Sequence, residues 1–170
     1  AGHATSKNIP GIELSTGSLG HGLSVACGMA FNSIGNISNF RVVVLMSDGE
    51  CNEGSVWEAV LFAGHHKLNN LTVIIDYNKI QSLGHTKDIL DLEPLGDKWK
   101  AFKWNVIEID GHNMDEIYDS INTKSSMPTV IVAHTVKGKG VSFMEDTVLW
   151  HYRTPKGDEL RDAKLEIEDN

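Results

Sequence analysis

Residues 41–46 carry the sequence RVVVLM, in which apolar and mostly β-branched side chains follow one another without alternation. Such a run predicts a strand that is covered on both faces, as in a parallel sheet. Further strands are predicted at residues 71–75, 105–109 and 128–134. Helical segments separate them, and this order predicts an α/β fold with a doubly wound, mainly parallel sheet that binds ligands at the carboxyl ends of its strands.

Between the strands, apolar side chains recur at helical spacing. The predicted helices lie at residues 19–34, 55–67, 97–102 and 114–122. Residues 36–39 interrupt the first helical pattern, and residues 80–94 are predicted to form a loop. The 170 residues suffice for one domain with a sizeable core. We expect that domain at residues 1–154, followed at 155–170 by a charged tail that is solvated or bound to a partner.

Composition narrows the classes of function. The net charge of −8 argues against a nucleic-acid-binding face, which needs basic residues to neutralise phosphates. The two cysteines, Cys27 and Cys51, have no spacing typical of a metal site or a redox pair. We expect free thiols, which favour a reducing cytoplasm. No apolar run approaches the roughly 20 residues that a membrane-spanning helix needs.

Polar side chains stand where the first two predicted strands end. Ser47, Asp48 and Gly49 follow the first strand, and Asn78 follows the second. A carboxylate and an amide carbonyl are the hard oxygen ligands that Mg²⁺ binds, with phosphates and water completing its octahedron. Asp-Gly and Asn are also common turn residues. These residues alone therefore leave both a metal site and two plain turns open.

A strand followed by Asp-Gly, and a second strand followed thirty residues later by Asn, resembles the thiamine-diphosphate motif. Longer segments resemble transketolases, and most of all the separate amino-terminal subunits of split transketolases. These segments span nearly the whole chain to His151. They are GIELSTGSLGHGLSVACGMA, SDGECNEGSVWEA, HKLNNLTVIIDYNKIQ, LEPLGDKWKAFKWNVIEIDGHN and PTVIVAHTVKGKGVSFME.

The resemblance implies a metal site and a cofactor site. Asp48, the side chain of Asn78 and the backbone carbonyl of Ile80 correspond to ligands of Mg²⁺, or of Ca²⁺ or Mn²⁺ in its place. The turn that would bind the diphosphate comprises Ser47, Asp48, Gly49 and Glu50. The cofactor implied is thiamine diphosphate.

Further residues correspond to positions around the reacting part of the cofactor. Gly17 and Leu19 resemble the loop that lies along the aminopyrimidine ring. Glu53 resembles the glutamate that links the two active sites of a dimer through a carboxylate pair. His3 resembles a histidine near the reacting carbons of the substrate, and His151 resembles one that reaches both the diphosphate and the donor substrate.

The chain departs from the family pattern at three positions. Ser47 replaces the usual first glycine of the motif, His21 stands where many relatives carry Gln, and Tyr152 follows His151 where Gly is common. None of the three removes a predicted ligand. The Ser47 hydroxyl has two open interpretations, an added hydrogen bond to the diphosphate or a narrower turn.

Other charged and histidine side chains have plainer interpretations. His65 and His66 are expected to be solvated or packed on a helix, and His112 is expected to be a turn residue. Lys137 and Lys139 either line a path for phosphate or are solvated charges in a flexible loop. The residues themselves do not decide between these two.

If the resemblance holds, the chain is the diphosphate- and Mg²⁺-binding half of an enzyme that transfers a two-carbon ketol unit from a ketose to an aldose. The glutamate that activates the cofactor belongs to a pyrimidine-binding domain that this sequence does not contain. We therefore expect activity only with a carboxy-terminal-type partner subunit, in a homo- or hetero-oligomer that binds a sugar or sugar phosphate. Membrane and nucleic-acid partners are not expected.

Relatives of this type carry helices upstream of the segment that begins at Ala1, so we expect a fragment or a processed chain. Two alternatives remain open at this stage. One is another thiamine-diphosphate enzyme, of the deoxyxylulose-phosphate synthase or 2-oxo acid dehydrogenase type, although the KGKG and GDKW segments favour transketolase. The other is a non-catalytic cofactor-binding fragment.

Overall fold

The computed structural model describes residues 3–7, 9–34 and 40–168. The main strands are β1 (Val42–Ser47), β2 (Leu71–Tyr77), β5 (Asn105–Asp110) and β6 (Thr129–His134). They form a four-stranded parallel sheet in the order β1-β2-β6-β5. Two short strands, β3 (Ile80–Gln81) and β4 (Gly84–His85), form a separate antiparallel hairpin. The predicted α/β fold with a mainly parallel sheet is thereby confirmed.

The four predicted helices are present close to their expected positions, and two further helices lie in segments predicted to be a loop and a tail. In chain order, the helices are α1 (Gly22–Ser33), α2 (Gly54–His66), α3 (Thr86–Ile89), α4 (Leu95–Ala101), α5 (Met114–Asn122) and α6 (Asp158–Glu168), of which α3 and α6 are the two further ones. Short 3₁₀ turns lie at Gly49–Asn52 and Val148–His151. In the part of the chain that the structure describes, no helix is long and apolar enough to cross a membrane. The predicted interruption at 36–39 lies outside the described residues.

Helices cover both faces of the sheet. On one face, α1, α2 and α4 bury side chains such as Leu23, Val60 and Trp99 against Val73 and Val130 of the sheet. On the other face, Ile117 and Ile121 of α5 pack against Ile109 and Ile131. The second core is smaller and lies over β5 and β6. Burial of these apolar faces supplies the main driving force for the fold.

β1 is an exception to the burial predicted for unbroken apolar runs. Val43 is 50% exposed and Leu45 is 72% exposed, whereas Val42 and Met46 are buried. The prediction of cover on both faces is therefore wrong for β1 in the described part of the chain. β1 lies at the edge of the sheet, where α1 packs on one face only. β2 is central and both of its faces are covered as predicted, although Ile74 on the second face is only half-buried.

Two other segments differ from their predictions. Residues 80–94, predicted to be a loop, contain the β3–β4 hairpin and α3. The charged tail contains α6, which buries Ala163 and accepts hydrogen bonds from the backbone and hydroxyl of Ser142 through Glu166. The tail is therefore not a simple solvated extension, and whether the domain boundary lies at 154 stays a prediction.

Candidate functional site

The loops that follow β1 and β2 meet at the carboxyl edge of the sheet. These strands are neighbours, and their register pairs Ser47 with Asp76. One carboxylate oxygen of Asp48 accepts a hydrogen bond from the backbone N–H of Lys79 at 2.5 Å, and the other accepts from Gly49 at 2.6 Å. The carbonyl oxygen of the Asn78 side chain accepts from the backbone N–H of Ile80 at 3.0 Å. The two predicted metal-binding loops are therefore joined directly.

Asp48 is a fully buried carboxylate at this junction. Burial raises its pKa, and the hydrogen bonds from Lys79 and Gly49 and the charge of Lys137 lower it, while Asp76 raises it further. Among residues 3–7, 9–34 and 40–168, no Lys, Arg or His side chain forms an ion pair with it. A buried carboxylate without a cation is costly, so the site favours a positive ion close to Asp48.

A short 3₁₀ turn follows Asp48 and begins the candidate diphosphate site. The Ser47 hydroxyl accepts a hydrogen bond from the Glu50 N–H at 3.1 Å, which holds the turn. Gly49 lies against the next loop, because a Cβ at this position would be 2.9 Å from the Cβ of Gln81 and 3.3 Å from its Oε1. Only glycine fits that space without moving a neighbour.

The loop at residues 17–20 docks on the same turn. Glu50 accepts a hydrogen bond from the Gly20 N–H at 2.9 Å, and the Ser55 hydroxyl donates to the Gly20 carbonyl at 2.9 Å. Gly20 has a φ of +78°, and a Cβ there would lie 2.6 Å from the Cβ of Glu53. Glu53 itself is an exposed residue at the start of α2. These contacts fix the 17–20 loop over the Ser47–Glu50 turn.

His3 packs against this loop, and Leu19 is part of it. The His3 ring lies 3.4 Å from the position that a Cβ on Gly17 would occupy, so His3 packs against Gly17. Leu19 is 54% exposed. His21, one of the departures from the family pattern, has its Nδ1 3.1 Å from the Ser18 hydroxyl and 3.0 Å from the Leu19 carbonyl. The predicted aminopyrimidine loop is thus ordered by local contacts, with an exposed apolar side chain.

His151 lies near the same edge of the sheet. Its 3₁₀ turn contacts β3, which begins at Ile80. Burial lowers the pKa of His151, and the positive charge of Lys137 lowers it further. The positive charge of Lys137 therefore acts on both His151 and Asp48. The Tyr152 ring packs edge-on against the His151 ring with centroids 4.8 Å apart, and Tyr152 is 81% exposed.

The donor set fits Mg²⁺ with a phosphorylated cofactor. One carboxylate, one amide oxygen and one backbone carbonyl provide a few hard oxygen ligands, and Mg²⁺ takes its remaining ligands from phosphate and water. Across the described ranges no three His, Cys, Asp or Glu side chains converge into a metal cluster, so a thiolate- or imidazole-rich site does not arise there. The buried Asp48, Gly49 and the Gln81 side chain lie together at the turn that follows β1.

Sequence patterns do not single out every residue at this edge. No pattern predicts Gln81 as a site residue, although it is one residue from Ile80 and faces Gly49. The sequence leaves the function of Lys137 open, and the structure brings its charge close to Asp48. Neither residue is part of a helical or strand periodicity. In the sequence, Gln81 is marked only by its nearness to Asn78, and Lys137 only by the glycines of the KGKG segment.

The remaining histidines have structural contacts. His112 accepts a hydrogen bond from the Val136 N–H at 2.8 Å and donates its own N–H to Asp110, so it joins two loops, as a turn residue does. His66 packs with Phe31 and Phe62 on the surface of α1 and α2, and its ring also contacts His65. The plain interpretations of these histidines are confirmed.

The sequence matches the model of a known protein family and several curated proteins. A family model described as transketolase, thiamine diphosphate binding domain, matches residues 1–168. The chain is 45% identical to an apulose-4-phosphate transketolase subunit from Actinobacillus succinogenes over 99% of this chain and 62% of that protein. It is 42% identical to the protein of the same name from Phocaeicola vulgatus, over 98% of this chain and 60% of that protein.

A solved transketolase structure has the same fold as this chain. Transketolase from Campylobacter jejuni superposes with a TM-score of 0.84 at 29% identity, covering 93% of this chain and 26% of that one. The chain thus spans about three fifths of the length of the curated relatives it matches and a quarter of this solved chain. Since the family model covers nearly every residue, the chain belongs to the transketolase family and corresponds to its thiamine diphosphate binding domain.

Proposed function

We propose that this chain is the diphosphate- and Mg²⁺-binding half of a transketolase-type transferase that acts with a separate pyrimidine-binding subunit. The observation that carries the proposal is the fully buried Asp48 carboxylate, which is joined to the Asn78–Ile80 loop and has no cationic side chain paired with it in the described residues. A divalent cation that bridges to a diphosphate would offset the cost of burying this charge.

Asp48, the Asn78 side chain and the Ile80 carbonyl would hold the metal, and the backbone of Gly49 would lie against the diphosphate. Thiamine diphosphate, when bound, would supply the nucleophile and electron sink with which a two-carbon ketol unit can pass from a ketose to an aldose. The protein's own part is to position and shield these groups. Glu50 does so by holding the 17–20 loop through Gly20.

His3 and His151 are proposed to contact the substrate. Both side chains are exposed and lie on segments that border the candidate cofactor site. The pKa of His151 is lowered by the partial desolvation of its ring and by the charge of Lys137, which favours the neutral imidazole that can accept a proton from a sugar hydroxyl. Lys137 would attract the phosphates that approach the site.

The dependence on a partner is supported by two facts. The relatives matched over nearly the whole chain are named as transketolase subunits rather than as whole transketolases. The activating glutamate implied by the family resemblance belongs to a pyrimidine-binding domain, and Glu53 corresponds to a different position. Exposed Glu53 at the start of α2 is proposed to pair with the same residue of a second copy across an oligomer interface.

The metal site is tested by calorimetric titration of the chain with thiamine diphosphate in Mg²⁺ and in EDTA. We expect Mg²⁺-dependent binding that Asp48→Asn abolishes. This variant keeps the shape of the side chain and removes the negative charge, but one of the two backbone N–H groups loses its acceptor, so circular dichroism of the unliganded variant is needed to establish that the fold persists. Asp119→Asn makes the same chemical change on an exposed residue of α5 and should bind normally. Unchanged affinity in Asp48→Asn would refute the ligand assignment.

The partner requirement is tested by assaying ketol transfer with the chain alone and with a carboxy-terminal transketolase-type partner. We expect no turnover by the chain alone and activity when both proteins are mixed. Strong activity of the isolated chain would contradict the proposal. Because the matched relatives are named for apulose-4-phosphate, a phosphorylated ketose is the donor class to assay first. A cytoplasmic location also stays a prediction, supported by the two free thiols.

A further inference from the structure

The last helix of the described chain, α6, is tied to the body of the molecule through one carboxylate. Glu166 lies near the end of this helix, and its two oxygens accept separate hydrogen bonds, one from the backbone N–H of Ser142 and one, at 2.9 Å, from the Ser142 hydroxyl. Hydrogen bonds to a charged acceptor are stronger than those between neutral groups. Ser142 belongs to the loop that follows β6, so this pair joins the end of α6 to that loop.

The other contacts of α6 are local or small. Glu159 in its first turn pairs with Arg153, which lies in the segment just before the helix. Among the described residues of α6, Ala163 alone is buried. The bonds from Glu166 to Ser142 therefore supply the long-range polar contact of this helix in the described part of the chain.

The loop that contains Ser142 is a closed unit, which we call the 137–146 loop. Its two ends are joined by a hydrogen bond of 2.9 Å from the N–H of Asp146 to the carbonyl of Lys137. Inside it, the Met144 N–H donates to the Val141 carbonyl at 2.8 Å, and the Val141 side chain is buried. A carboxylate that holds Ser142 therefore holds the loop from end to end.

The 137–146 loop begins beside the predicted metal site. β6 neighbours β2 in the sheet, and the N–H of Thr135 extends their pairing to the Tyr77 carbonyl at 3.3 Å, one residue before Asn78. Two residues later, the positive charge of Lys137 acts on the Asp48 carboxylate. Lys137 forms no ion pair with a carboxylate in the described ranges. Its charge is therefore available to a ligand at this edge of the sheet.

We infer that Glu166 is a positioning residue for the proposed diphosphate site, because through Ser142 it holds the 137–146 loop with Lys137 beside the turn at Asp48. This inference rests on the proposed function, since it requires a diphosphate at that turn. Glu166 itself touches neither cofactor nor substrate. A cation that is already held in place favours an anionic ligand more than a cation on a loose loop, because no loop has to be ordered on binding.

The test combines Glu166→Ala and Lys137→Met in a double-mutant cycle on the full chain. Calorimetric titration with thiamine diphosphate in Mg²⁺ measures affinity, and hydrogen exchange reports on the amides of the 137–146 loop. Glu168→Ala is the matched control, because it removes an exposed carboxylate from the same end of α6 and changes the net charge equally.

We expect Glu166→Ala to bind thiamine diphosphate about threefold to fivefold more weakly than wild type, the size of one charge interaction near a surface. Lys137→Met should show a similar loss, and adding Glu166→Ala to it should weaken binding no further. Exchange in the 137–146 loop should accelerate in Glu166→Ala and not in Glu168→Ala, which should bind at least as tightly as wild type. A carboxylate with only a structural role would accelerate exchange without any loss of affinity that depends on Lys137.

The outcomes separate the inference from the function on which it rests. Wild type that does not bind thiamine diphosphate in Mg²⁺ overturns the proposed function and the inference together. Wild type that binds it, with Glu166→Ala binding equally well, overturns the inference alone, as does a Glu166→Ala effect that persists in the Lys137→Met background. If Glu166→Ala does not fold, Ser142→Ala decides. This variant removes the hydroxyl donor and should bind about twofold more weakly, and unchanged affinity overturns the inference.

Discussion

The carboxylate of Glu50 accepts a hydrogen bond of 2.9 Å from the backbone N–H of Gly20, thirty residues earlier in the chain. This bond joins the turn after β1 to the loop that precedes α1. The resemblance assigns Glu50 to the cofactor, and that assignment stays a prediction. The observed contact gives Glu50 a positioning function for the 17–20 loop.

Glu50→Ala should therefore release the 17–20 loop. A hydrogen bond between a charged acceptor and a backbone N–H contributes about 1 to 2 kcal/mol here, and its loss should lower the free energy of unfolding by that amount. Hydrogen exchange of the Gly20 amide should accelerate as well. Glu50→Gln retains a carbonyl acceptor and should show a smaller effect. Glu58→Ala, which removes an exposed carboxylate on α2, is the control. Equal exchange rates in wild type and Glu50→Ala would contradict this function.

Gly49 and Gln81 should be energetically coupled. Gly49→Ala places a Cβ 2.9 Å from the Cβ of Gln81, which is closer than two such atoms can lie. The turn or β3 must shift, at a cost of about 1 to 3 kcal/mol. In a Gln81→Gly background that Cβ is gone, and Gly49→Ala should cost much less. Urea unfolding of the four proteins measures the coupling as a double-mutant cycle. Additive effects would show that the two residues do not touch.

Two glycines in the helices should respond in opposite directions to the same substitution. A Cβ at Gly64 of α2 would lie 2.0 Å from the backbone oxygen of Phe102, so Gly64→Ala should destabilise the fold by about 3 kcal/mol or more. Gly28 of α1 has open space at its Cβ, and Gly28→Ala should stabilise the helix by up to about 1 kcal/mol. Thermal unfolding of both variants is the measurement. A stable Gly64→Ala protein would mean that α2 does not pack this closely on Phe102.

The order of strands and helices can be predicted from the sequence, because apolar runs and helical spacing are local signals. The position of a strand within the sheet cannot. β1 and β2 have similar apolar sequences, yet Leu45 is 72% exposed at the edge, whereas its partner Ile74 in the central strand is partly buried against the second core. Strand order depends on long-range connections, such as the return of β6 between β2 and β5, and no local pattern encodes it.

The sequence pattern misses α6 for a different reason. Its inward positions are Glu159, Ala163 and Glu166, and the two carboxylates bind Arg153 and Ser142. Leu160, Ala163 and Ile167 do recur at helical spacing, but Leu160 and Ile167 are exposed, and the many charged residues around them give the segment the composition of a solvated tail. Gln81 escapes prediction too, since a two-residue strand has no periodicity. Asp48 and Asn78 are predicted because turn residues after buried strands, combined with a family motif, are visible in sequence.

The two cysteines should be unreactive in the folded protein. Cys27 donates to the Ala59 carbonyl and Cys51 to the Ser47 carbonyl, and both are buried. Burial raises the pKa of Cys27 to about 11 and that of Cys51 to about 12. Since the thiolate is the reactive form, iodoacetamide at pH 8 should label neither residue until urea unfolds the chain. Rapid labelling of the native protein would contradict this burial.

The same shifts predict how stability depends on pH. Because the folded-state pKa values lie above that of an exposed thiol, about 8.5, the unfolded chain loses these protons first as pH rises. The stabilisation is complete below about pH 8.5 and should decline between there and the folded-state values of about 11 and 12. Each buried thiol adds up to about 1.4 kcal/mol per pH unit to this decline. Cys51→Ala should reduce the slope of the unfolding free energy against pH above pH 9, and an unchanged slope would show that Cys51 ionises as readily in the folded chain as in the unfolded one.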